Sequence, residues 1–353
     1  MSIRVFIVDD SAVSRMALRR LVEQDSQMEV VGEATNGKRA IEAIPNTEVD
    51  IVLMDLMMPV MDGFDATRWL MANAPLPILL ISDLVGRDSA LNFRAVDAGA
   101  LEVVRKPSAA ELGEPRVVRK LHQLIRILSD VPVVTRRFGR RRTAPAENLG
   151  LEESEDTRPE AFPRRVSLVA IGASTGGPSA IAELLRNLNE PPPWPVIILQ
   201  HITRNFASGM ARWLGDVSEL DVQIVSERTP MVKGGVYVAP DDADLVIEGD
   251  SLVPKNDPNR MVSYPSIDTT FDSIAHSTWA SESLAILMTG MGSDGARGLK
   301  ALRDAGGWTI AQDKESSTVW GMPRAAVEMA AAQEVLSLAI IAERLNTIKG
   351  KND

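Results

Sequence analysis

Three acidic side chains stand where apolar runs end, and their chemistry suits a small hard cation beside a phosphoryl group. Asp9 and Asp10 follow the run that ends at Val8, and Asp55 closes the later run Ile51–Met54. Because Mg²⁺ prefers oxygen ligands and keeps several waters, two or three converging carboxylates are a sufficient site for it. We therefore predict a magnesium and phosphate site in which Asp55 carries the phosphoryl group.

Two further polar residues end apolar runs in the same part of the chain. Ser82 follows the apolar run Pro77–Ile81, and Lys106 follows the run Leu101–Arg105. The hydroxyl of Ser82 and the ammonium of Lys106 can therefore bind the phosphoryl oxygens. Each acidic residue alone has a plain alternative, since Asp10 before Ser11 could simply start a helix. Only the ordered set, with each member at a strand end, indicates an acyl phosphate site.

A second candidate site, of a different chemical kind, is centred on Ser174. This serine lies in the glycine-rich segment Gly172–Pro178, directly after an apolar run. The pattern around Ser174 is G-x-S-x-G, which fits a nucleophile in a sharp strand-to-helix turn. Small residues in such a turn can equally cradle a phosphate on helix N–H groups, or form a plain turn. The segment alone does not decide among these alternatives, so a base is required.

Three histidines are available as that base. His201 directly follows the apolar run Val196–Gln200, at the edge of the sheet where Ser174 is expected, so we favour it. We expect His276, within the predicted helix Phe271–Trp279, to be a half-buried helical residue, and His122, in a helix of the first half, to be a surface or packing residue.

An acid that orients the histidine is the next requirement of such a site. Asp294 lies six residues after a strand-sized run, Leu284–Met288. It could also be a helix N-cap, which is compatible with orienting His201. Asp241 and Asp242 are weaker rivals in a predicted turn, and the backbone N–H of Met291 could stabilise a developing oxyanion.

The elements that must position these groups alternate between short β-rich runs and helical stretches, which predicts parallel α/β sheets. The strands predicted in the first half are Arg4–Val8, Glu29–Gly32, Ile51–Met54, Pro77–Ile81 and Leu101–Arg105. Those predicted in the second half are Val166–Ile171, Val196–Gln200, Val222–Val225, Leu284–Met288 and Trp308–Ala311. A hairpin is predicted from residues 235–240 and 245–248. Between the halves, arginines give way to glutamates without periodicity, which indicates a linker.

Composition narrows the class of protein. The 353 residues are 45% hydrophobic and contain no cysteine, so two or three globular domains without disulfides or thiolate nucleophiles are expected. No signal-peptide pattern or membrane-length apolar run is seen, and we expect a cytoplasmic protein without direct membrane insertion. The formal net charge of −10 argues against nucleic acid as a partner.

Residues 1–128, with these acids, Ser82 and Lys106 in order, closely resemble a response-regulator receiver domain, whose fold is flavodoxin-like (βα)5. The resemblance implies that a histidine kinase phosphorylates Asp55, that Asp9, Asp10 and Asp55 bind Mg²⁺, and that Ser82 and Lys106 sense the phosphoryl group. Where such domains usually have an aromatic switch residue on the fifth strand, this chain has Val103. Switching by an aromatic rotamer is therefore not expected here.

Residues 166–350, after a linker over 129–165, resemble the catalytic domain of chemotaxis protein-glutamate methylesterases, and a doubly wound, mostly parallel α/β fold is expected. The order serine, histidine, aspartate differs from that of α/β-hydrolases. The segments that carry the resemblance are Ile171–Pro178, Gln200–His201, Ala239–Pro240, Pro265–Asp268, Leu287–Gly295, Ala311–Asp313 and Gly321–Pro323.

That resemblance implies a triad of Ser174, His201 and Asp294, with Thr175 and the Met291 backbone assisting. It also implies hydrolysis of glutamate methyl esters on chemoreceptor helices, release of methanol, glutamine deamidation in many members, and no cofactor for hydrolysis. Two alternatives stay open. The second half could be a non-catalytic adaptor under phosphorylation control, or a DNA-binding output, which lacks support because no basic recognition helix is seen.

Overall fold

A computed structural model describes residues 2–82, 98–108, 111–131, 133, 165–189, 191–202, 206–256 and 265–350. Nearly all of the predicted linker, with its basic and acidic clusters, lies outside these residues. The domain boundaries at 128 and 165 therefore stay predictions. Within the described residues no helix is both long and apolar enough to cross a membrane.

The first half is built around a parallel sheet of five strands in the order β2-β1-β3-β4-β5. The strands are β1 (Ile3–Val8), β2 (Met28–Ala34), β3 (Ile51–Asp55), β4 (Ile78–Ser82) and β5 (Glu102–Arg105). Helices α1 (Ala12–Glu23), α2 (Gly37–Ala43), α3 (Gly63–Asn73) and α4 (Pro115–Ser129) accompany them. Alternate strand residues point to two separate apolar clusters, one on each face of the sheet. The order reverses between β1 and β3, where a ligand crevice is expected.

Side-chain caps mark the starts of α1, α2 and α3 in this half. The Ser11 hydroxyl accepts a hydrogen bond from Ser14 N–H at the start of α1, and Asp62 accepts one from Asp65 N–H at the start of α3. Each cap satisfies an N–H group that has no partner inside its helix. Because Ser11 is the cap, Asp10 remains free of that role.

Val60, in the loop between β3 and α3, has a left-handed backbone with φ +72° and is 84% exposed. This conformation is unfavourable for a β-branched residue, and asparagine tolerates it better. Since the side chain is exposed, little packing is lost on replacement. We expect Val60→Asn to raise the free energy of unfolding by about 1 kcal/mol, measured by calorimetry. Val232→Asn is the matched control, exposed but without positive φ. An unchanged or lower stability of V60N would contradict the strain argument.

The second half contains a parallel sheet of seven strands in the order β16-β15-β14-β7-β8-β11-β9. Its strands are β7 (Leu168–Ala173), β8 (Val196–Gln200), β9 (Val222–Ile224), β11 (Val236–Val238), β14 (Ser283–Leu287), β15 (Trp308–Gln312) and β16 (Glu334–Leu336). Its helices are α5 (Gly177–Arg186), α6 (Ala207–Ser218), α7 (Ile267–Ala275), α8 (Ala296–Asp304), α9 (Met322–Glu328) and α10 (Leu338–Thr347). Apolar clusters fill both faces of the sheet. Later strands are added to the sheet on both sides of β7, so β7 lies at the topological switch point.

The fold-class prediction is confirmed: both halves are α/β, with a flavodoxin-like strand order in the first and a doubly wound parallel sheet in the second. Smaller strands complete the second half, namely β6 (Arg165–Val166), β10 (Thr229–Pro230), β12 (Asp244–Glu248), β13 (Ser251–Lys255) and β17 (Lys349–Gly350). β6 pairs with β17 and is separate from β7, although the sequence analysis joined them in one strand.

The predicted hairpin is wrong. β11 joins the large sheet in parallel with β8 and β9, whereas β12 pairs in antiparallel fashion with β13, an unpredicted strand. The turn at Asp241 is real, but it leads out of one sheet and into another. The predicted helix Phe271–Trp279 is also shifted, since α7 starts four residues earlier and ends at Ala275.

The two halves contact each other through a few apolar side chains. Val319 of the second half is buried in an apolar cluster of the first half, and Met291 packs against the same cluster. In the other direction, Val103 on β5 packs against a core cluster of the second half. The fifth strand of the first sheet therefore lies beside the loops that follow β14 and β15.

Candidate active sites

The first site lies at the carboxyl ends of β1, β3 and β5, as the sequence predicts. The Lys106 ammonium is 2.7 Å from Asp9 Oδ2 and 3.2 Å from Asp55 Oδ2. The Lys106 N–H donates to the Ser82 carbonyl, which places buried Ser82 at the end of the neighbouring strand. Four of the predicted residues, Asp9, Asp55, Ser82 and Lys106, therefore meet at one edge of the sheet.

The donor set of this site fits Mg²⁺. Ligand oxygens of Asp9, Asp10 and Asp55 lie within 4.8 Å of one another, and Asp10 is the exposed member. Asp9 Oδ2 is buried and, despite the nearby ammonium, lacks a hydrogen bond of proper geometry within the described residues. A buried carboxylate oxygen of this kind is suited to a small cation that brings its own waters.

The Asp55 carboxylate is poised for chemistry by its surroundings. Burial raises the pKa of Asp55 to about 6; the Lys106 ammonium lowers it and the Asp9 carboxylate raises it further. At neutral pH the group is therefore mostly ionised, but it is poorly solvated. A desolvated carboxylate opposite an ammonium is a suitable acceptor for a phosphoryl group.

The second site is set by strand register around β7. Ala173 on β7 pairs with Gln200 on β8, so Ser174 and His201 come next at neighbouring strand ends. β14 pairs with the other side of β7, and Ser174 N–H donates to the Thr289 carbonyl after that strand. The end of β7 that carries Ser174 therefore lies between the segments that carry His201 and Asp294.

His201 and Asp294 are in direct contact across that strand end. His201 Nε2 lies 2.7 Å from Asp294 Oδ2, although β8 and β14 are about 10 Å apart as the two neighbours of β7. An ionised carboxylate accepts the Nε2–H, which leaves Nδ1 as the basic nitrogen of the neutral ring. No hydrogen bond between Ser174 Oγ and His201 is present among the described residues, and such contacts are often long before substrate binds.

Asp294 is held in place by a helix other than its own. Its carboxylate accepts hydrogen bonds from the N–H groups of Ile267 (2.9 Å) and Asp268 (3.1 Å), and from the Ser266 hydroxyl (3.3 Å) at the start of α7. Asp294 is thus not the N-cap of α8, where Gly295 stands, and the N-cap alternative was wrong in that form.

Those contacts decide the charge of Asp294. Burial alone would raise the pKa of Asp294, but hydrogen bonds from His201 and from the two backbone N–H groups outweigh it and lower the pKa. The carboxylate therefore stays ionised at neutral pH. A fixed negative charge at this place can orient the imidazole and stabilise the imidazolium that forms when His201 takes a proton.

The other candidates have structural roles. His122 is buried, with Nε2 2.6 Å from the Leu21 carbonyl, and packs between two helices. His276 is the C-cap of α7 and its side chain is 76% exposed, so the expectation of a half-buried helical residue was wrong. Asp241 accepts from the N–H groups of Phe206 and Ala207 at the start of α6. Asp242 is exposed.

The two predicted assisting residues lie at the same rim. Thr175 is buried beside Ser174, and Met291 lies in the loop after β14, where it packs against the first half of the chain. Gln200 had no predicted role, yet its side-chain amide donates to the carbonyls of Ser174 (2.8 Å) and His201 (2.9 Å). The feature of the sequence that could have indicated this role is a polar residue at the end of an apolar strand.

Comparison with known proteins gives matches in both halves. The family model described as response regulator receiver domain matches residues 5–116, and that described as CheB methylesterase matches residues 169–345. Protein-glutamate methylesterase/protein-glutamine glutaminase 4 of Geobacter metallireducens is 37% identical over 340 residues, 95% of this chain and 95% of that protein. Protein-glutamate methylesterase/protein-glutamine glutaminase 3 of Pseudomonas aeruginosa is 38% identical over 343 residues, 97% of this chain and 98% of that protein.

Among solved structures, the Thermotoga maritima CheB methylesterase catalytic domain aligns with a TM-score of 0.48 and 32% identity, covering 51% of this chain and 97% of that one. The curated relatives match over nearly their whole length and over nearly all of this chain, so both domains are included in each match. The resemblance drawn from the motifs is therefore confirmed. The chain belongs to the family of protein-glutamate methylesterases/protein-glutamine glutaminases, in which a response-regulator receiver domain precedes a CheB methylesterase domain.

Proposed function

We propose that this protein hydrolyses γ-glutamyl methyl esters on the cytoplasmic helices of chemoreceptors and that phosphorylation of Asp55 accelerates this reaction. The observation that carries the proposal is the 2.7 Å contact between His201 and Asp294 across the strand end that bears Ser174. Because those receptor helices are cytoplasmic, the proposal includes a cytoplasmic location for the enzyme.

In the first half-reaction, Ser174 Oγ attacks the ester carbonyl while His201 Nδ1 takes the hydroxyl proton. The tetrahedral intermediate collapses when the carbon–oxygen bond to the methoxy group breaks. The imidazolium gives its proton to that oxygen, so methanol leaves and a glutamyl ester of Ser174 remains. Asp294 stabilises the imidazolium throughout.

In the second half-reaction, His201 takes a proton from water, and the hydroxide attacks the acyl carbonyl. The bond to Ser174 Oγ breaks, the proton returns to that oxygen, and a glutamate side chain is released. A glutamine side chain can follow the same route with ammonia as the leaving group, so we include deamidation in the proposal. Neither step requires a metal or an organic cofactor.

Control of catalysis by the receiver domain is supported by its contacts with loops that lie beside the candidate triad. Val319 and Met291, in loops beside the candidate triad, pack against the apolar cluster of the receiver domain. We infer that the unphosphorylated receiver covers the cleft and that a histidine kinase supplies the phosphoryl group. Asp9, Asp10 and Asp55 would hold Mg²⁺, which would neutralise charge on the incoming phosphoryl group. Ser82 and Lys106 contact that group afterwards.

The test is methanol release from receptors that carry glutamyl methyl esters, measured with and without a small acyl phosphate and Mg²⁺. We expect the donor to raise turnover by about 5- to 150-fold, the usual range of coupling between two sites. Asp55→Asn should abolish the stimulation because the amide cannot accept the phosphoryl group.

Asp65→Asn is the matched control, since it makes the same chemical change at an exposed helical position of the receiver domain. This variant should respond like the parent. Equal stimulation of D55N, or no methanol from any methylated receptor of a representative panel, would overturn the proposal.

A further inference from the structure

The turn that carries Ser174 has a defined type. Gly177 N–H donates to the Ser174 carbonyl at 2.8 Å, and Gly176 has φ +76° and ψ −5°. These angles match the third residue of a type II turn, for which glycine is suited. A Cβ atom on Gly176 would lie 2.5 Å from Thr318, so both the backbone and the space exclude a side chain. Types I and II differ in the direction of the central peptide, here Thr175–Gly176.

Thr289 holds that central peptide. Its hydroxyl donates to the Thr175 carbonyl at 2.9 Å and accepts from Val319 N–H at 2.9 Å. Its backbone N–H donates to Gln312 Oε1 at 2.8 Å, and its carbonyl accepts from Ser174 N–H at 2.9 Å. Thr289 is fully buried. The carbonyl and the hydroxyl of Thr289 therefore bind the serine turn, while its N–H binds the end of β15.

The orientation of the Gly176 N–H follows from peptide geometry. In a trans peptide the N–H and the carbonyl point in opposite directions. Because the Thr175 carbonyl points inward to Thr289, the Gly176 N–H points in the opposite direction, outward from the turn. An outward N–H beside the nucleophile is a suitable donor to a carbonyl oxygen on which negative charge develops.

A carboxylate already lies against these donors. Glu102, on β5 of the receiver domain, lies near this turn, and the Thr175 side chain and the Gly176 N–H both act to lower the pKa of its carboxyl group. Burial raises the pKa of Glu102 to about 7, which these donors and the Lys120 ammonium partly oppose. A glutamyl methyl ester is one methyl group larger than the Glu102 side chain, so its carbonyl oxygen can meet the same donors.

We propose that Thr289 is a positioning residue for ester hydrolysis, whose hydroxyl locks the serine turn so that Gly176 N–H and the Thr175 hydroxyl face the carbonyl oxygen of the substrate. This proposal rests on the proposed esterase function. It adds two groups, the Thr289 hydroxyl and the Gly176 N–H, to the predicted residues Thr175 and Met291.

The first test compares Thr289→Val with Thr289→Ser in the full chain, assayed with acyl phosphate and Mg²⁺. Valine keeps the volume but removes the hydroxyl, so we expect kcat for methanol release to fall about 10- to 100-fold while KM changes little. T289S should recover kcat to within a few-fold of the parent. Parental kcat in T289V, or a rise in KM alone, would overturn the proposal.

The second test measures the pKa of the Glu102 carboxyl group by NMR titration of protein with isotope-labelled glutamate, without phosphoryl donor. The signal of Glu102 is assigned as the one that is missing from the spectrum of Glu102→Gln. If T289V turns the Gly176 N–H away, the Glu102 pKa should rise, and T289S should leave it unchanged. Thr289→Ala leaves room for a bridging water and serves as a second variant if T289V does not fold.

The two readouts separate the two proposals. A shifted Glu102 titration together with absent methanol release in the parent protein would remove the esterase function, while the turn geometry would stand. An unshifted titration in T289V and T289A would overturn the role of Thr289 even if the esterase is active.

Discussion

Ser174→Ala is expected to lower kcat for methanol release by about 10⁴- to 10⁶-fold, because removal of the nucleophile of such a triad leaves only the surrounding groups to assist water. The change deletes one oxygen atom, and no side-chain hydrogen bond of Ser174 occurs within the described residues. Folding should therefore be preserved, and binding of the methylated receptor should change little. Stopped time-course assays of methanol and a receptor pull-down measure the two effects separately.

Ser179→Ala is the matched control for S174A, since it makes the same change in the first turns of α5, at a residue that the mechanism does not use. It should retain turnover close to the parent. A non-catalytic adaptor predicts a different pattern, in which S174A keeps the full effect on receptor signalling. Parental methanol release by S174A would mean that another group attacks the ester.

The α/β fold class and the positions of Ser174 and His201 near strand ends were predictable because they depend on local patterns. Apolar runs of strand length, each followed by polar residues, indicate that Ser174 and His201 lie at one edge of the sheet. Neighbouring parallel strands then bring such residues together. The receiver site was predictable for the same reason, since Asp9 and Lys106 directly follow strands and Asp55 ends one.

The errors came where partners are distant along the chain. Residues 235–248 have the alternation and turn of a hairpin, yet tertiary pairing assigns β11 to one sheet and β12 to another. Asp294 precedes a helix, which suggested a cap there, but the N–H groups that it binds belong to α7. Short-range patterns cannot distinguish these outcomes, because the competing contacts are decided by packing between helices and sheets.

Buried polar residues of the catalytic half were the least predictable part of the site. Thr289 and Gln312 follow or end apolar strands and carry no charge, so composition marks neither of them. Their importance appears only when hydrogen-bond partners are known, since a buried hydroxyl or amide without partners would be costly. In this fold they connect three loops around one serine.

Asp294→Asn should lower kcat by about 10³- to 10⁴-fold, the effect seen when an amide replaces the acid of a comparable triad. The amide can present an N–H to His201 Nε2, which favours the tautomer with the proton on Nδ1. That tautomer cannot take the proton of Ser174. KM should change little, because Asp294 contacts the imidazole and α7 but not the ester. Methanol release across a pH series measures both parameters.

The free energy of unfolding of D294N provides an independent test of the role of Asp294. Because the pKa of Asp294 is lowered on folding, the ionised carboxylate stabilises the protein above its ordinary pKa of about 4. This contribution is lost as the pH falls through the lower value of the folded state. D294N should therefore be less stable than the parent at neutral pH, and the difference should shrink in acid.

Asp241→Asn is the matched control, because Asp241 also accepts two backbone N–H bonds at a helix start in the same domain but does not contact His201. Both variants should lose stability at neutral pH, whereas only D294N should lose catalysis by orders of magnitude. Equal loss of kcat in the two variants would assign the effect to helix capping. Such a result would leave His201 without an orienting acid, and the triad would have to be abandoned.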